Sequence, residues 1–155
     1  MKIMEFLNPV AVSANIESTD KKEAIRELVD LLIAADEIKA KDKDKVIKVL
    51  LEREALGSTG IGQGIGIPHG KYPGVNKLIG ACGISHKGVD FESLDGEKVY
   101  IFFLLLAPED SAGPHLKALA RVSRLLKDKY FRETLRAALD DKTLVKIIKQ
   151  EDLKK

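Results

Sequence analysis

The chain has 155 residues, 45% of them hydrophobic and 32% charged, a balance that fits one domain with its own core and excludes a disordered chain. Its 26 Lys and Arg stand against 24 Asp and Glu for a net charge of +2, and the signs alternate, as in Lys41-Asp42-Lys43-Asp44-Lys45, so no nucleic-acid-binding arm is expected. The longest apolar run, 99–107, falls far short of the roughly 20 residues of a membrane span, and the first ten residues lack a signal-peptide core, so the reading is a cytoplasmic protein without membrane insertion.

Asp20 followed by Glu23 has the form of a helix-capping box. Behind it Ala24, Ile25, Leu28, Val29, Leu31 and Leu32 recur at helical spacing through Ala35. A second helix is predicted from Asp42 or Asp44, burying Val46, Ile47, Val49, Leu50 and Leu51, with Gly57 as its left-handed C-terminal cap. Residues 57–70 then hold six glycines in fourteen positions, and each glycine would cost a helix about 1 kcal/mol relative to alanine. This stretch reads as a loop feeding a short strand at Ile65 and Ile67 that ends at Pro68-His69. Strands are predicted at 78–86 and 99–106, the second apolar on both faces and therefore central in a sheet. Gly113-Pro114-His115 opens another helix, with Leu116, Leu119, Ala120, Val122, Leu125 and Leu126 as its apolar stripe. Helices at 130–139 and 142–150 complete a single α/β domain, in which helices flank a mixed sheet.

Cys82 is the lone cysteine. It excludes an intrachain disulfide and multi-cysteine zinc, and within an apolar run it reads as a small buried hydrophobe. The three histidines differ in setting. His69 lies between Pro68 and Gly70, where proline stiffens the chain and glycine permits close approach. By those local features it reads equally as a functional loop histidine or a structural turn histidine. His115 falls in the first turn of a helix, whose dipole lowers its pKa and favours anions nearby; capping its own helix or facing water are the alternatives. His86, in Ser85-His86-Lys87-Gly88, reads as an exposed turn residue without a role.

The glycines match neither the G-x-G-x-x-G dinucleotide pattern nor the P-loop, which argues against an ATP-using kinase. No H-x-x-x-H or H-E-x-x-H pair occurs, so zinc is disfavoured, although distant histidines can converge in a fold.

The segment Arg53-Glu-Ala-Leu-Gly-Ser-Thr-Gly-Ile-Gly-Gln-Gly-Ile-Gly-Ile-Pro-His69-Gly70 closely resembles the active-site signature of the type 2 (fructose/mannitol-type) enzyme IIA domains of the bacterial phosphoenolpyruvate-dependent phosphotransferase system. The likeness covers nearly the whole chain, 1–155, including 99–108, His115-Leu116 and 127–138. It implies a mixed parallel and antiparallel sheet flanked by helices. It also implies that His69 accepts a phosphoryl group, at Nε2, from the phosphohistidine of the histidine-containing phosphocarrier protein, with Nδ1–H bonded to a backbone carbonyl. Arg53 and His115 match the family's supporting arginine and second histidine, and the planar fork of Arg53 suits phosphoryl oxygens. Ser58, Thr59 and the neighbouring amides would orient His69 or meet the phosphate.

Such a phosphotransferase component works by positioning and charge stabilisation, and the resemblance implies no ATP, metal or other cofactor. Gly66 departs from relatives that often carry alanine there, a local matter of flexibility. With neither a IIB nor a IIC region before its short charged tail, the chain is most similar to the stand-alone nitrogen-regulatory form, which binds regulatory targets. The alternative is a fructose-type IIA that passes the group to a IIB cysteine; a metal-dependent binding or hydrolase module is the distant third.

Overall fold

In the computed structural model, which describes residues 1–154, helix α1 (Lys21–Ala34) begins where the Asp20 side chain accepts the Glu23 amide at 2.9 Å. Its stripe of Ala24, Ile25, Leu28, Val29 and Leu32 is buried, as the spacing predicts. Helix α2 (Lys43–Ala55) follows and buries Val46, Ile47 and Leu50, together with Glu54. Gly57 ends it at φ +152°, a more open turn than the compact left-handed cap expected.

Strands β1 (Leu7–Ser13), β2 (Gly60–Gly62), β3 (Ile65–Gly66), β4 (His69–Lys71), β5 (Ile79–Val89) and β6 (Val99–Ala107) form one sheet in the order β1-β5-β6-β3-β2. The doubly apolar β6 is its middle strand. It runs antiparallel to β5 and parallel to both β3 and β4, which share one edge of it. The other parallel pair is β1 with β5, and β2 with β3 is a small antiparallel hairpin.

Alternation along β6 divides the core. Ile101, Phe103 and Leu105 pack with helices α3 (Ala112–Leu125), α4 (Lys129–Ala137) and α5 (Asp141–Lys154), whereas Phe102, Leu104 and Leu106 pack with α1 and α2. The sheet is thus covered on both faces, a mixed α/β sandwich of helices around strands.

Three expectations need correction. Strand β1 had no counterpart in the predicted elements, because Pro9 and Val10 are exposed and break its alternation. Strand β5 runs on through Ser85-His86-Lys87-Gly88 to Val89, absorbing these turn-like residues where its register with β6 shifts between Ile84 and Val89. His69 does not end the short strand begun at Ile65 but is the first residue of a separate one, β4, opposite Leu105. Pro68 interrupts the ladder because it has no N–H, yet its carbonyl accepts Leu105 N–H at 3.0 Å, so the chain re-enters the sheet immediately. Exposed His86 uses Nε2 to reach the Ala14 carbonyl at 2.9 Å. Among the described residues no helix is long and apolar enough to cross a membrane.

Near the C-terminal end of the described residues Asp152 forms a buried ion pair with α3, Arg121 Nη2 to Asp152 Oδ1 at 2.8 Å. The Asp152 carboxylate also accepts the amides of Ile3 and Met4 at 2.9 and 3.0 Å. Burial alone would raise the Asp152 pKa; the bonds from Arg121, Met4 and Ile3 outweigh it and hold the carboxyl below its usual range.

Candidate active site

Strand β6 brings the two distant histidines together. Pairing of β4 with its C-terminal half places His69 opposite Leu105, and α3, which follows β6, carries His115 in its first turn. The rings meet edge-on, with centroids 5.4 Å apart and planes at 85°.

His69 is partly buried, and its Nδ1 lies 2.7 Å from the Ile67 carbonyl. A carbonyl can only accept, so Nδ1 carries the proton and Nε2 of the neutral ring keeps its lone pair. Burial lowers the His69 pKa and Arg53 adds to the lowering, against the opposing pull of the Ile67 bond and the Glu54 charge. His115 is buried, and neither of its ring nitrogens has a hydrogen-bond partner. Burial, with His69 and Lys71 adding to it, pushes its pKa down to about 4, so at neutral pH the ring is uncharged with one N–H to donate.

Arg53 sits in the last turn of α2, partly buried, and one guanidinium nitrogen donates to the Gly57 carbonyl at 2.9 Å. Its remaining donors stay available to an anion. The hydroxyls of Ser58 and Thr59 are engaged inward. Ser58 Oγ donates to the Phe91 carbonyl and accepts the Gly60 amide, both at 3.0 Å. Thr59 is buried, and both its amide and its hydroxyl donate to the Glu54 carboxylate. Gly70 serves packing: a Cβ there would stand 2.9 Å from Val49 Cγ1, so glycine lets β4 lie against α2. Among the described residues no cluster of three or more His, Cys, Asp and Glu could hold a metal ion. The arrangement offers one unprotonated ring nitrogen against a neutral imidazole and within the field of the Arg53 guanidinium.

Residues 5–151 match the family model described as phosphoenolpyruvate-dependent sugar phosphotransferase system, EIIA 2. The chain belongs to this family. This enzyme IIA is 40% identical over 148 residues to the nitrogen regulatory protein of Bradyrhizobium diazoefficiens, covering 96% of the one and 95% of the other. It is also 40% identical over 152 residues to the fructose-specific EIIABC component of Bacillus subtilis, covering 98% of this chain but 24% of that one. Its fold is similar to the crystal structure of nitrogen regulatory protein IIA-Ntr from Neisseria meningitidis, with a TM-score of 0.84 and 32% identity, covering 94% of this chain and 98% of the other. The chain is therefore a phosphotransferase-system component of the enzyme IIA type.

Sequence reasoning passed over one buried acid in this neighbourhood, Glu54. The signal was present, since position 54 continues the stripe of Val46, Ile47 and Leu50 at spacings of four, seven and eight.

Proposed function

We propose that this enzyme IIA carries a phosphoryl group on Nε2 of His69, received from the phosphohistidine of the histidine-containing phosphocarrier protein. The observation that carries the reading is the Nδ1–H bond to the Ile67 carbonyl, which leaves Nε2 as the nucleophile. The Nε2 lone pair forms the new N–P bond while the donor's N–P bond breaks, and that electron pair returns to the donor ring. No proton has to leave His69, and no nucleotide, metal or other cofactor enters the balance. The ring becomes formally cationic and keeps Nδ1–H on Ile67.

Arg53 and neutral His115 donate to the phosphoryl oxygens, whose charge must be met as the group passes through a loose transition state. Ser58 and Thr59 act from behind by fixing the loop, because their hydroxyls bond to the protein itself. Transfer from the phosphocarrier requires the two proteins to share a compartment, and the proposal puts both in the cytoplasm.

Incubation with phosphoenolpyruvate, enzyme I and the phosphocarrier should label the wild type and leave His69→Ala unlabelled; label retained by that variant would remove His69 from the role. The similarity to nitrogen regulatory proteins supports a regulatory use, in which the phosphorylation state of His69 selects target proteins. A second reading, transfer to a IIB cysteine for sugar uptake, is favoured by the equal identity to the fructose component. Phosphorylated protein mixed with a fructose-type IIB domain separates the two. Rapid loss of label to the IIB cysteine supports transport, and retention of label supports regulation.

A further inference from the structure

We propose that Glu54 is the positioning residue for His69, holding the strand segment that orients the imidazole and supplying the buried negative charge that the ring needs once it carries a phosphoryl group. The proposal rests on His69 as acceptor and adds a residue to its machinery.

The connection runs through short bonds. The Glu54 carboxylate accepts the Thr59 amide at 3.0 Å and the Thr59 hydroxyl. The Thr59 carbonyl accepts the Ile67 amide at 3.0 Å, and the Ile67 carbonyl accepts Nδ1–H of His69 at 2.7 Å. Each link is a backbone group except at the two ends, so a displacement of Thr59 is passed to the carbonyl that selects the His69 tautomer. Glu54 is 6% exposed, and Lys21 Nζ lies 3.1 Å from it. Lys21 is itself shared with Glu92 at 3.3 Å and lies over the Phe91 ring at 5.0 Å from its centroid. A buried carboxylate paired with a lysine in this way is costly to build, and an amide side chain would anchor a loop at lower desolvation cost.

The charge has a use at His69. Glu54 acts on the ring in the direction that favours its cationic form, opposing Arg53. Phosphorylation at Nε2 with the proton retained at Nδ1 gives the ring a positive charge, so the same field that raises the basicity of the free ring stabilises the loaded one. Arg53 and Glu54, adjacent on α2, then serve opposite parts of one group: the guanidinium meets the phosphoryl oxygens and the carboxylate offsets the ring.

The test compares Glu54→Gln, Glu54→Ala and Thr59→Val in protein with 15N-labelled histidine, read before any phosphoryl donor is added. The wild type should show one His69 tautomer, protonated at Nδ1. Glu54→Ala should mix the two tautomers and slow transfer from the phosphocarrier by about 30-fold. Glu54→Gln keeps the size and can still bridge Thr59, its Oε1 accepting the amide and its Nε2–H donating to the hydroxyl, but removes the charge. It should retain the tautomer while lowering the His69 titration midpoint and slowing transfer several-fold. Thr59→Val removes the hydroxyl bond and keeps the amide bond, so it should mix the tautomers less than Glu54→Ala does, without changing the charge.

A folded Glu54→Ala protein with the wild-type tautomer and rate overturns the positioning role. An unchanged midpoint in Glu54→Gln overturns the electrostatic one; if the alanine variant does not fold, an unmixed tautomer in folded Thr59→Val overturns the positioning one. Because tautomer and midpoint need no phosphoryl donor, they test Glu54 separately from the labelling of His69→Ala, which tests the acceptor itself.

Discussion

Replacing His115 with Gln should flatten the pH dependence of folding stability on the acid side of neutrality. In the native protein the His115 pKa is pushed down from 6.5 to about 4, burial being the main cause. Between those values the unfolded chain binds a proton that the native site refuses, so stability is complete above the unfolded pKa and is lost as pH falls towards the folded one. Each unit of displacement corresponds to about 1.4 kcal/mol, giving roughly 3 kcal/mol in full and about 2.5 kcal/mol by pH ~4.5. The ring is 6% exposed, so solvent screening removes little of this. Urea unfolding at pH ~7 and pH ~4.5 measures the loss in both proteins. The wild type should lose about 2.5 kcal/mol more than His115→Gln between the two conditions. The other titrating groups remain in both proteins, and subtraction removes their shared contribution. Equal losses in wild type and variant, or a His115 resonance titrating near its ordinary midpoint, would refute the reasoning.

Arg53→Lys keeps a positive charge but loses the planar fork, so transfer to His69 should slow about tenfold, roughly 1.4 kcal/mol, while the final extent of labelling is unchanged. Rapid-quench measurement of the transfer checks it. Gly83→Ala should destabilise by about 1–3 kcal/mol, because the new methyl would stand 2.7 Å from Ile16 and 3.0 Å from Leu28 in the packed α1 layer; chemical denaturation measures it. Gly66→Ala meets Val99 and Phe102 at 3.2 and 3.3 Å, which asks those side chains to give by only a few tenths of an ångström. Its stability should stay within about 1 kcal/mol of wild type by the same denaturation assay.

The elements legible in advance were those whose burial follows a simple period. Helix α1 combines an acidic cap with an uninterrupted stripe, and β6 is apolar on both faces because helices cover both. What escaped notice depends on partners distant in the chain. Strand β1 is held by pairing with β5, despite exposed Pro9 and Val10, and the short β4 exists because β6 offers it an edge beyond Pro68. At the site, the spacing placed His115 in a helical first turn, but nothing local told that its ring would be buried without a partner against His69. Likewise Ser58 and Thr59 carry hydroxyls fit for a phosphate, and only the position of Glu54 and Phe91 shows them bonded inward. Glycine at position 70 looked like room for a ligand and is room for α2.

The bond set around Asp152 bears on how this chain can be cut. The residues that match the family begin at 5 and end at 151, so a fragment trimmed to those limits would discard the Ile3 and Met4 amides and the carboxylate they share. Arg121 would stay in the core as a cation without its counter-ion, a loss of about 3–5 kcal/mol from a fold whose whole margin is about 5–15 kcal/mol. The outermost residues therefore belong to the cooperative unit as firmly as the sheet does, and boundaries for expression or grafting are better drawn outside both Lys2 and Asp152.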